Sequence, residues 1–276
     1  MRVLFGSWRY LFKNIWYVLC YAIMPGIFFA LSLDFKSIRS FLDAFFTGTP
    51  SVSFLQIFRV FSIIGFNSWL NALYAVGLLL SIALFSSIML SLVEKHMRIG
   101  KRTSSGAFRQ FPNIFLSSLF MTVLYAVIYE VWCVVLAAIG YAFGSIIKVA
   151  VGVYCAWVAC FLLFLIVLLY IVTVFYLWLP CMQITGFSPY EALRYSYQLV
   201  IKVRWKMVFS MLISILAYLV VISATAMFIP HLPFMLVAFI AFVLLYLNFC
   251  IRMETAYFEA DKIDREDLIR SYRRLG

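Results

Sequence analysis

The sequence predicts an all-α, polytopic integral membrane protein with about six transmembrane helices. Three observations predict it. Hydrophobic residues make up 66% of the 276 residues and charged residues only 12%, whereas a soluble domain runs near half apolar and a quarter charged. Apolar runs long enough to cross a bilayer recur along the chain. Lysine and arginine gather in alternate connecting segments, as the positive-inside rule requires. Water could not solvate such a surface, and no polar stretch is long enough for a separate soluble domain. Residues 1–251 therefore read as one transmembrane domain and 252–276 as a charged cytoplasmic tail.

The elements follow in order. Met1 to Asn14 is basic and aromatic and leads into a first apolar run, 15–33. A basic start before an apolar run resembles a secretory signal, but this run exceeds a signal's apolar region, so an uncleaved span is expected. Pro25-Gly26 lies inside it and predicts a kink there. Phe35 to Phe46 and Phe54 to Phe66 carry Lys36, Arg39, Asp43 and Arg59 among aromatics. The second stretch is too short to span, and a charge such as Arg59 at the bilayer centre would be costly. Both read as short helices lying in the interface. Further spans are expected at 69–93, 114–139, 150–180, 207–228 and 234–251. The run 150–180 is longer than a bilayer needs, so that helix should tilt or project. The stretches 94–113, 140–148 and 181–206 read as loops. Within the last, Ser188-Pro-Tyr-Glu191 has a helix-start pattern: Ser at the cap, Pro at the first position, Glu three residues on. It predicts a helix from Pro189 to about Val200. The tail reads as helical from about Asp261.

Orientation follows from the positive charges. Of the 22 Lys and Arg residues, 18 fall on the N-terminus, the 94–113 and 181–206 segments and the tail, against four (Lys36, Arg39, Arg59, Lys148) on the opposite set. Both termini are therefore expected in the cytoplasm. The net charge of +11 points to anionic lipid headgroups rather than nucleic acid, because no nucleic-acid-binding signature accompanies it. The lipid bilayer, its anionic headgroups and a membrane-protein partner are the expected contacts.

Three segments look alike ahead of odd-numbered spans: Trp8 to Lys13, Ala107 to Phe111, and Ala192 to Tyr197. Each sets an arginine (Arg9, Arg109, Arg194) on an aromatic stretch. A short interfacial helix leading into a two-span hairpin, used three times, would produce this. So would simple interface anchoring. The stretch Thr185-Gly-Phe-Ser-Pro-Tyr-Glu-Ala-Leu-Arg-Tyr-Ser-Tyr197, with Glu254-Thr-Ala-Tyr-Phe258, resembles six-span membrane proteins of Firmicutes. Those are distantly similar to the membrane domain that precedes the catalytic domain in some bacterial glycerophosphodiester phosphodiesterases. The resemblance implies a bacterial plasma membrane. It brings no catalytic residue, since the soluble catalytic domain has no counterpart here.

Few residues could carry chemistry. Glu130 is the one acid well inside an apolar span. It lies about 24 Å along its helix from Ile114, which places it in the outer part of the bilayer. It could relay protons or bind a cationic group, or it could bond to tyrosines or pair with Lys148. Lys95, Arg98, Lys101, Arg102, Arg109 and Arg194 are candidate contacts for anionic lipid, and His96 among the first four could help hold a phosphate. His96 and His231 fall on opposite sides of this topology and cannot share a metal. The six cysteines form no CxxC pair and read as packing residues. Gly100-Lys-Arg-Thr-Ser-Ser-Gly106 lacks the order of a phosphate loop. No catalytic, metal or cofactor motif is present, so none of these is expected. The sequence favours a noncatalytic accessory or envelope-associated protein. A small transporter or lipid-handling protein with a cavity between hairpins is the alternative, and a membrane-embedded enzyme comes last because no acid, base and nucleophile converge.

Overall fold

The computed structural model describes residues 2–47, 53–64, 68–102, 107–146 and 150–268. They form ten helices and, among the described residues, no strand. Five helices are long and apolar enough to cross a membrane, and a bent pair near the N-terminus makes a sixth crossing if counted as one span. The chain is an all-α polytopic membrane protein.

The first crossing departs from expectation. α1 (Arg2–Val18) and α2 (Cys20–Ser32) meet at 94°, with the break at Leu19 and not at Pro25-Gly26. α1 also kinks at Asn14, whose backbone is non-helical. The side-chain amide of Asn14 donates to the Tyr10 carbonyl at 3.0 Å. That carbonyl is the one a regular helix would offer to the Asn14 N–H, so the side chain competes with the backbone. Pro25 stays inside α2. Gly26 serves packing instead: a Cβ built there would lie 2.6 Å from Val243 Cγ2 and 2.8 Å from the Phe239 ring. Only a bare backbone lets the two helices approach so closely.

α3 (Phe35–Thr47) and α4 (Phe54–Phe61) are the two short helices expected between the first crossing and the next. Asp34 opens α3 by accepting from Lys36 N–H and Ser37 N–H at 3.1 and 3.2 Å. Ser53 caps α4. Together they cover one end of the bundle, where Phe35 packs on His231 and Phe234 and the Tyr154 hydroxyl reaches the Ala44 carbonyl.

The long helices run past the expected spans. α5 is Trp69–Ile99 and closes on Gly100 in the left-handed region (φ 70°), where glycine meets no steric penalty. α6 is Ala107–Ile146, so Gly140 to Ile146 is helix and not loop. Gly140 makes room for the Trp157 indole, which a Cβ would strike. α7 is Ala150–Phe175 and α8 is Trp178–Thr185. The single run 150–180 thus divides at Tyr176-Leu177. Pro180 explains the break: its ring would clash with the Tyr176 carbonyl of a continuous helix, but it is tolerated in the first turn of a new one. α9 (Pro189–Phe228) and α10 (His231–Ala260) complete the bundle.

The helix start at Pro189 forms as predicted, with the Glu191 carboxylate accepting from the Ser188 N–H and hydroxyl at 3.1 and 2.8 Å. It does not stop near Val200, however. The stretch is continuous with the fifth span, giving one rod ~60 Å long at 1.5 Å per residue. Likewise α10 carries Arg252 to Ala260 into the bundle, so those residues are not a free tail. The chain turns at Asp261-Lys262, where Lys262 has φ 56°, and Asp261 does not begin the expected helix. Of the three similar segments, only the first is a separate helix. The other two, at the starts of α6 and α9, run straight into their spans.

Candidate functional site

The acid singled out by sequence proves to be occupied. Glu130, on α6, accepts from the Ser62 hydroxyl at 2.8 Å and from the backbone N–H groups of Ile63 and Ile64 at 2.8 and 3.3 Å. The neighbouring Tyr129 hydroxyl donates to the Phe61 carbonyl at 2.7 Å. Glu130 therefore pins the C-terminal end of α4 to α6, which leaves that chain end no longer short of acceptors. Its partners are not tyrosines, and Lys148 lies outside the described residues.

The unusual polar chemistry lies at the opposite end, beneath α1. Arg252 is only 2% exposed and Glu254 0%, both on α10. Arg252 donates to Ser214 Oγ at 2.6 Å and to Asn248 Oδ1, and Asn248 in turn donates to Ser7 Oγ of α1 at 3.2 Å. No carboxylate lies within ion-pair distance of this guanidinium among the described residues. Glu254 is odder still. Both its carboxyl oxygens are buried without a hydrogen-bond partner among the described residues, and the carboxylate of Glu94 is near enough to act on it electrostatically. Glu94, 2% exposed, is itself paired with Arg98 at 2.9 Å. A buried carboxyl with no hydrogen-bond partner costs free energy even when it carries its proton, so a fold keeps one only against opposition.

α1 closes this layer off. It buries Ser7, Tyr10, Leu11, Asn14 and Val18 and turns Phe5, Arg9, Phe12, Lys13 and Trp16 outward. Gly6 sits 3.7 Å (as a Cβ would measure) from the Thr255 methyl. Tyr10 bonds His96 Nδ1 at 2.7 Å. His96 is thus a buried helical residue and not part of a basic loop holding phosphate. His231 lies at the other end of the bundle, against Phe35.

The basic residues proposed to meet lipid are spread over this same end. Arg98 is half-exposed and shares its charge with Glu94. Arg102 turns inward to Asn14 Oδ1 (2.7 and 3.1 Å) and the Lys13 carbonyl (3.3 Å). Lys101 and Arg194 are exposed, and Lys95 is half-buried. The side chain of Arg109 lies outside the described residues. A further basic group, not singled out by sequence, is Arg204. Its guanidinium lies over the rings of Tyr170 and Tyr197, 4.8 and 5.5 Å from their centres, and donates to the Tyr170 hydroxyl.

Sequence reading missed Arg252 and Glu254 because they follow an apolar run, where a charged residue normally marks the start of a solvated tail. The usable signal was that the apolar pattern continues past them through Met253, Ala256, Tyr257 and Phe258, all buried. Among the described residues no group of three or more His, Cys, Asp or Glu could hold a metal ion. Comparison with protein-family models, curated proteins and solved structures gives no match.

Proposed function

We propose that the protein is a noncatalytic accessory of a bacterial plasma membrane, with the α1 end facing the cytoplasm and its basic residues held against anionic lipid. The observation that carries this reading is the fate of Glu130. The acid best placed for transport or proton relay spends its acceptors on the end of α4. Of the other buried ionisable groups, Arg252 bonds Ser214 and Asn248, Glu94 pairs with Arg98 and His96 bonds Tyr10, so each but Glu254 is committed to a structural partner. What remains available is surface: an exposed aromatic and basic α1, and the exposed Lys101 and Arg194. The charge bias of the connecting segments supports the same orientation.

The test is purification in a mild detergent followed by reconstitution into vesicles with an internal pH dye. Vesicles holding the protein should keep an imposed proton gradient as long as empty ones, and in-cell cross-linking from Trp16 should trap a membrane-protein neighbour. One observation favours a second reading, a small transporter: Glu254 is a fully buried acid with no partner among the described residues, and such residues mark ion paths in membrane proteins. A proton flux abolished by Glu254→Gln would replace the first reading with the second.

A further inference from the structure

We propose that the crevice between the end of α7 and the start of α9 is a binding site for the phosphate-bearing headgroup of an anionic phospholipid. The proposal deepens the lipid-facing reading above and rests on it. The crevice lies where α7 stops at Phe175 and the chain turns aside into α8, while α9 runs on past both. It is an open groove of about 500 Å³, a volume within the usual range of small-molecule sites. Arg194, Tyr190, Tyr197 and Gln198 supply its polar lining, and Val174, Phe175, Leu193 and Ile201 its apolar lining.

The two kinds of lining match the two halves of a lipid at an interface. Arg194 is exposed and makes no hydrogen bond or ion pair among the described residues. A guanidinium grips a phosphate through paired N–H donors. Tyr190, Tyr197 and Gln198 add neutral donors around it. Tyr197 connects the crevice to Arg204, whose Nε and Nη2 are buried without a partner, so a second cation with unused donors stands behind the first. Of the nearby charges, Lys202 adds a cation on α9, Glu259 is paired with Lys206 at 3.8 Å, and Glu191, which accepts from Ser188, is the one acid left beside Arg194 among the described residues. On the apolar side, Ile201 is exposed, and beyond it Ile171, Trp205 and Phe209 continue an exposed hydrophobic surface toward the membrane-spanning part of the bundle. Acyl chains leaving the crevice would find oil-like protein surface all the way into the bilayer.

A free phosphate compound could satisfy Arg194 equally well, but it would leave the Val174, Phe175 and Ile201 wall uncovered. The experiment separates the two. Native mass spectrometry of the purified protein in detergent would count bound phosphatidylglycerol against phosphatidylcholine, with and without excess glycerol phosphate. The wild-type protein should retain phosphatidylglycerol preferentially, and glycerol phosphate should not displace it. Arg194→Gln should weaken retention by ~10-fold, the scale of losing a charge-assisted bond. Ile201→Trp, which fills the crevice without touching a charge, should do the same. Lys36→Gln, at an exposed lysine of α3 on the opposite end of the bundle, should change little. Equal losses from Arg194→Gln and Lys36→Gln, or none from either, would overturn the site while leaving a diffuse lipid-facing role intact. Displacement by glycerol phosphate would overturn the lipid as occupant. No preference for phosphatidylglycerol in the wild type would overturn both the site and the broader reading beneath it.

Discussion

The two ends of this bundle are each sealed by short amphipathic helices, yet they treat buried charge in opposite ways. At the α3/α4 end a single acid, Glu130, meets one hydroxyl and two backbone N–H groups and is fully used. At the α1 end a cation and an acid two residues apart on α10 are both buried, and neither neutralises the other. Arg252 leans on amide and hydroxyl oxygens, and Glu254 on nothing among the described residues. The spacing explains the failure to pair: residues i and i+2 point to different faces of a helix. The first arrangement is that of a structural clamp. The second leaves buried polar groups short of partners, which costs folding free energy.

That contrast can be broken by mutation. Arg252→Ala should have the largest effect, lowering stability by ~3–5 kcal/mol, because it opens a cavity and strands Asn248 and Ser214. Thermal unfolding in detergent reads it, and a loss under 1 kcal/mol would show that the guanidinium is not integral to the packing. Glu254→Met should act in the reverse direction, raising stability by ~1–3 kcal/mol, since an apolar side chain of similar volume replaces an orphaned polar one. A fall in the unfolding temperature would mean that Glu254 has a partner after all. Glu130→Ala should lower stability by ~2 kcal/mol by orphaning three donors. Its signature is local: amide exchange at Ile63 and Ile64 should accelerate while that at Met253 holds steady. Glu130→Gln keeps one acceptor oxygen and should lose only ~1 kcal/mol. If both Glu130 variants behaved like Glu254→Met, the distinction between the two ends would be lost.

Much of the fold was legible in sequence because lipid imposes a coarse rule: long uncharged runs go inside and cations stay out. The five long helices and the two short ones between residues 35 and 61 follow from it, whereas the helix start at Ser188 was legible from its own capping pattern. Helix ends were less legible. Glu94 to Ile99, Gly140 to Ile146 and the stretch from Pro189 to Lys206 continue as helix because tertiary packing and capping extend them past the bilayer, a force that hydropathy does not sense. The bend at Leu19 went unseen since Pro25-Gly26 carries the stronger local signal, and only the α10 side chains reveal that this pair is there for close approach. At the candidate site, Glu130 was visible but its partners were not, being one hydroxyl and two backbone N–H groups 66 to 68 residues away in sequence. Arg252 and Glu254 were read as tail, for want of any sign that α1 folds back to cover them.

The brevity of α2 bears on how the chain is built. Thirteen residues rise about 20 Å, short of the roughly 30 Å of a bilayer's hydrocarbon, so the segment cannot hold itself in place as the ribosome releases it. Its anchor is α5, against which Gly77 admits the Phe28 ring to within 2.8 Å of where a Cβ would stand. Integration of the first crossing therefore waits for synthesis to proceed well beyond it, and the opening third of the protein should enter the membrane as one cooperative unit. A nascent chain ending at Ser32 should remain extractable by alkali, whereas one ending at Gly100 should not.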